Sequence, residues 1–233
     1  MKWEVRVQGP GTILKQIALA VSDEDIRLAL RDGAFVLSGS RLDGLGDAAS
    51  VQHEAERIVT LLSSSARLSF GSTERLRVDD VSETTAGTFQ TSTDRSPAPT
   101  SFDRPGAPQG WAQLSSVSRS VRSALSNPAM EQALALRDTQ APGWADLARL
   151  YTVIEAELGG PAVTARLGLS ESARKQLLHG SAPPPARRGT TPQAAGDGDP
   201  EGERLTLKDA LRSVDRLLMT WLTSATVPSG HDR

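Results

Sequence analysis

Within the stretch ESARKQLLHG, residues 171 to 180, Arg174 and His179 are of the types that can serve one phosphate together, a guanidinium and an imidazole five positions apart. On an α-helix five residues turn through about 140°, so both side chains meet one phosphate only where the helix ends or bends between them. The sequence supplies an ending: His179 precedes Gly180, and prolines fill 183, 184 and 185. That ending also offers His179 a plain role, a last-turn histidine beside the exposed carbonyls and negative end of its helix. Glu155 and Glu157 lie on the preceding strongly periodic helix. A Glu155 that faces inward toward Arg174 is its natural partner, because a buried carboxylate must be paired.

The Arg-x4-His spacing resembles that of the HEPN-type ribonucleases. The resemblance implies RNA cleavage by Arg174 and His179, with Glu155 beside them, in a toxin or defence setting. Those enzymes carry a polar hydrogen-bonding residue after the arginine, where this chain has Lys175. With 22 arginines and three histidines in 233 residues and three allowed spacings, about one match arises by chance, and one is present. The residues therefore favour a structural role for Arg174 and His179, and no catalytic residue is assigned.

Other chemistry has less to stand on. No His-Glu-x-x-His, Gly-x-Ser-x-Gly, phosphate-loop or dinucleotide fingerprint occurs, so no cofactor is expected. His53 sits at the edge of a helical stripe and His231 in the tail, without metal-ligand spacing, and no metal site is expected. The chain has no cysteine, which excludes disulfide frameworks, thiolate metal sites and cysteine nucleophiles and fits a cytoplasmic protein. Trp3 and Phe35 lie on the strands that carry stacking aromatics in RNA-recognition modules, but GAFVLSG lacks the accompanying basic and aromatic pattern, so both read as core.

Charge and hydropathy narrow the partners. Net charge is −2, and residues 1–85 hold 10 basic against 13 acidic groups. Residues 111–190 hold 9 against 6, so neither region has the dense basic stripe that phosphate-backbone binding requires, and nucleic acid is expected only under the ribonuclease reading. No apolar run approaches the ~18 residues of a membrane span, and MKWEVRVQGP lacks the basic and apolar regions of a targeting signal. A soluble, untargeted chain is expected, with a protein, a small ligand or a second copy of itself as partner.

The elements that must position these residues fall into two sets. Trp3, Val5 and Val7 alternate with polar residues and predict β1; Ile13, Leu14, Ile17, Ala18 and Val21 predict a helix over 11–21. Ile26, Leu28 and Leu30, then Phe35 and Leu37 around Asp32-Gly33, predict a β-hairpin. Val51, Ala55, Ile58 and Leu62 predict a second helix capped by Asp47 or Ser50, and ARLSF and ERLRVDDV are expected as strands. The order β-α-β-β-α-β is that of a ferredoxin-like α+β module over residues 1–82, with the last strand an addition.

Residues 83–110, rich in Ser, Thr, Pro and Gly, read as a flexible linker in which Phe89 and Phe102 are spacers. An all-helical domain over 111–225 is expected next, with stripes of Leu114, Val117, Val121 and Leu125, then of Trp144, Leu147, Tyr151, Ile154 and Leu158. Asn127-Pro128 opens a helix between them, and short helices are expected over 161–167 and at ESARKQLLH. A low-complexity loop fills 181–204. A closing helix starts at the Thr206–Asp209 capping box and carries Leu207, Leu211, Val214, Leu218 and Trp221 before a tail over 226–233.

WADLARLYTVIEAE and TLKDALRSVDRLLMTWL resemble the paired helices of a group of uncharacterised bacterial proteins common in actinobacteria, which brings no assigned activity. In that group an RHG triplet precedes the Pro-rich turn, whereas Arg187, Arg188 and Gly189 are found here. The function expected from all of this is binding, by two modules without an evident catalytic site.

Overall fold

Trp3, Val5 and Val7 are buried while Lys2, Arg6 and Gln8 are exposed, and in the computed structural model this alternation is strand β1, Lys2–Gln8. The structure describes residues 2–84, 109–139, 141–166, 168–179 and 205–224. Helix α1, Gly11–Ala20, buries Leu14 and Ile17. The chain leaving it runs beside the start of β2, Arg27–Arg31, where Ser22 bridges Arg27 and the Leu28 N–H donates to the Val21 carbonyl at 3.1 Å. Asp32 and Gly33 both take positive φ, 47° and 79°, which is what a tight two-residue hairpin turn demands, and β3, Ala34–Ser38, returns antiparallel with Leu28 opposite Leu37. Leu30 keeps the alternation but lies largely exposed, near the end of an edge strand.

Gly39 is needed where it stands. Its φ is 147°, and a Cβ there would lie 2.2 Å from the Asp25 carbonyl oxygen, closer than any side chain tolerates. The turn leads into a short helix not foreseen from the sequence, α2, Ser40–Asp43, whose Asp43 carboxylate accepts the Trp3 backbone N–H at 2.9 Å. The long helix α3, Ala48–Phe70, starts on the Asp47 side chain, which accepts from the Ser50 N–H, and ends at Gly71 in the left-handed region, φ 67°. ARLSF, expected as a strand, is thus the last turns of α3. Leu62 and Ala66 continue the helical stripe, and Gly71 supplies the stop. Strand β4, Arg77–Thr84, follows, and the mixed α+β unit is built on one antiparallel sheet in the order β2-β3-β1-β4.

Helix α4, Gln109–Ser126, and helix α5, Pro128–Arg137, start the helical half of the chain. The expectation that they belong to a C-terminal domain over 111–225 is corrected by their packing: both lie on α3, and α4 also on α1. The chain divides into compact units at Gln140/Ala141. The reason is α3 itself. Its sheet side buries Val51, Ala55, Ile58 and Leu62, yet Val59, Leu61, Ser63, Ser64, Ser65 and Arg67 are buried as well, so the helix needs a second layer. Ser64 gives that layer a shallow seat, its hydroxyl donating to the Leu134 carbonyl of α5 at 2.7 Å, while the Ser63 hydroxyl accepts the Leu76 N–H ahead of β4 at 3.4 Å. Arg57 of α3 pairs with Glu131 of α5, and Arg75 pairs with the fully buried Asp138 just past α5.

The second unit, Ala141–Ser224, is helical: α6, Trp144–Glu157; α7, Pro161–Arg166; α8, Glu171–His179; and α9, Leu207–Ser224. Helix α6 is the hub, in contact with the other three. The inward face of α9 is Ala210, Val214, Leu217, Leu218, Trp221 and Leu222, while Leu207, expected on that stripe, lies at the exposed start of the helix. Most of the expected linker, with Phe89 and Phe102, the loop over 181–204 and the tail fall outside the described residues. Among the described residues, no helix is long and apolar enough to cross a membrane.

Candidate functional site

Glu155 and Arg174 do come together. Tyr151 and Glu155 are one helical turn apart on α6, and the Tyr151 hydroxyl donates to Glu155 Oε1 at 2.7 Å. Helix α8 starts at Ser170, whose Oγ accepts the Ala173 N–H at 3.2 Å, and this start presents Arg174 to α6. There Arg174 Nε donates to Glu155 Oε1 at 2.6 Å and a terminal nitrogen reaches Oε2 at 3.4 Å, a two-point fork across the helix pair. The Glu155 side chain is 13% exposed and the Arg174 side chain 23%, so water screens the pair only partly.

Burial pushes the Glu155 carboxyl up, but the hydrogen bonds from Arg174 and Tyr151 and the charge of Arg174 outweigh it and leave the group below the ordinary carboxylate range. Arg174 is held still more firmly protonated, first by its hydrogen bond to Glu155. A carboxylate kept ionised and an arginine kept charged against each other form a tie between helices. Neither is tuned to exchange a proton near neutral pH.

His179 closes α8 in the exposed last turn, and its Nδ1 is hydrogen-bonded to the Lys175 carbonyl one turn back at 2.6 Å. The five-residue spacing thus gives Arg174 to the neighbouring helix and His179 to the end of its own. Glu157, in the last turn of α6, is exposed. Sequence reasoning missed Gln176, which exchanges two hydrogen bonds with the Leu205 backbone, donating to its carbonyl at 3.1 Å and accepting its N–H at 3.2 Å. That side chain fastens the residues ahead of α9 to α8, a role a lone glutamine in a helix does not advertise.

In the first unit, Trp3 is buried on the helix-covered face of the sheet and its indole N–H donates to the Leu45 carbonyl at 3.1 Å. Phe35 stands opposite Val7 on that face and is half-buried. Both aromatics thus serve packing. His53 is exposed on α3, His231 lies outside the described residues, and among those residues no group of His, Asp and Glu could hold a metal ion. Among the described residues, an open, mainly polar cleft of about 360 Å³ lies between the first turn of α3 and β4. No protein family matches this chain, and no curated protein and no solved structure is significantly similar to it.

Proposed function

We propose that this chain is a binding protein, not a hydrolase, and that Arg174, Glu155 and His179 serve its architecture. The observation that carries the reading is the Tyr151–Glu155–Arg174 tie: the guanidinium that a ribonuclease would turn to a phosphate is spent on a carboxylate of the neighbouring helix, with Tyr151 completing the set. His179 is bonded through Nδ1 to the Lys175 carbonyl of its own helix. The reading of residues 1–84 as a ferredoxin-like module belongs to the same proposal. It is supported by the order β2-β3-β1-β4, by antiparallel pairing of every neighbour, and by helices placed after β1 and after β3. Modules of this kind offer sheet edges as surfaces for recognition, which is an argument from architecture.

The test is incubation of the purified protein with a mixed RNA pool, beside the double variant R174A/H179A. Intact RNA in both samples is expected. Cleavage by the wild type that disappears in the double variant would overturn the proposal and install the ribonuclease.

A further inference from the structure

We infer that β4 takes an extended, basic peptide segment of a partner as a fifth strand, its apolar side chains entering the groove between β4 and α3. This deepens the binding reading above and rests on it. Arg77–Thr84 is the longest strand of the sheet and occupies one edge; among the described residues it pairs only with β1. Eight residues of strand offer about 27 Å of backbone edge, on which alternate residues turn their N–H and C=O groups outward. The other edge is not equivalent, because Ser22 and Val21 already cover the start of β2.

Beside the β4 edge lies the cavity of about 360 Å³, walled on one side by Ala48, Ala49 and Gln52 of α3 and on the other by Val78–Val81. Every one of these residues is exposed or half-buried. A groove between an edge strand and a helix is the setting in which a peptide gains affinity from main-chain hydrogen bonds and specificity from alternate side chains. Small alanines on the helix leave room for those side chains beside Val78 and Val81.

Charge names the partner. Asp79, Asp80 and Glu83 lie along the edge, and Asp47 stands at the groove's helical end. Arg77 at the start of the strand, and Arg6 and Lys2 on β1, opposite Asp80 and Thr84, are nearby cations, against the four carboxylates. The helix N-terminus does not invite an anion, because the Asp47 carboxylate already accepts the Ser50 N–H at 2.9 Å and its hydroxyl at 2.7 Å. A second copy of the chain would set these acidic residues against their own kind, which disfavours self-pairing. Asp79 also sits where the β1–β4 register shifts, an irregularity that discourages flat edge-to-edge association. Lysines and arginines alternating with small apolar residues meet both halves of the surface.

The full-length protein is titrated with a fluorescent peptide of about ten residues in which Lys and Val alternate, and with its Glu-for-Lys counterpart. Saturable binding of the lysine peptide, weakened by salt, is expected, and exchange of the 77–84 amides should slow by about tenfold or more in its presence. The variant D79N/D80N/E83Q should bind about tenfold more weakly while keeping its fold. No binding, equal binding of the glutamate peptide, or binding that leaves the 77–84 amides unprotected would overturn the inference. So would sedimentation showing a self-associated chain with β4 already protected. The RNA assay reads the parent proposal separately, so either can fail alone.

Discussion

Leu134→Ala tests whether α5 belongs to the sheet-containing unit. Leu134 is fully buried on α5, and α5 packs on α3. The substitution removes three carbons, worth about 2.4 kcal/mol at about 0.8 kcal/mol per buried methylene, and the cavity left in a tightly packed site brings the cost to about 3–4 kcal/mol. The Ser64 hydrogen bond ends on the Leu134 main-chain carbonyl and survives the change, so the loss reports packing. Amide exchange followed by mass spectrometry gives the local answer: peptides from β1 and from the middle of α3 should lose about 10²–10³-fold in protection. Unchanged protection there, with the loss appearing in residues 141–179 instead, would refute the assignment of α5 to the first unit.

Trp221→Ala should cost about 3–5 kcal/mol by urea unfolding of the second unit, since Trp221 is 5% exposed on the helix that packs against α6. Gly39→Ala should destabilise by more than about 2 kcal/mol, because its positive φ and the Asp25 carbonyl both oppose a side chain; a neutral change in melting temperature would contradict that geometry. The folded-state pKa of Glu155 lies below the ordinary 4.5, so its contribution to stability is complete above that pH and is lost as pH falls through the lowered value. Glu155→Gln should therefore flatten the acid limb of the stability profile of α6 and α8, and an unaltered limb would count against the tie.

Much of the first unit was legible because its signals are local. The alternation of Trp3, Val5 and Val7, the Asp32-Gly33 turn and the Asn127-Pro128 helix start each act within a few residues, and the structure uses each of them. What was misjudged depends on partners distant in sequence. ARLSF has the composition of either element, and only the continuation of a buried stripe to Gly71 makes it helix. The placement of α5 turned on residues such as Ser64, which looks polar in a sequence but is fully buried once its hydroxyl donates to the Leu134 carbonyl. At the candidate site, an inward Glu155 facing Arg174 could be anticipated from the cost of an unpaired buried carboxylate. Tyr151 at the same carboxylate and the Gln176–Leu205 clamp could not, because each depends on how helices meet.

The coverage of α3 on both sides bears on what happens when the chain is cut. Residues 1–84 alone would leave the flank of α3 that carries Arg57, Ser64 and Ser69 facing water, and α4 and α5 alone would lack the surface their own buried residues need. A protease acting between residues 85 and 108 would then produce two pieces that stay associated under native conditions and part only on dilution or in denaturant. Supplied as separate polypeptides, the same pieces should reconstitute the unit, so that its two halves behave as complementary fragments whose reunion can be followed by the return of amide protection in α3.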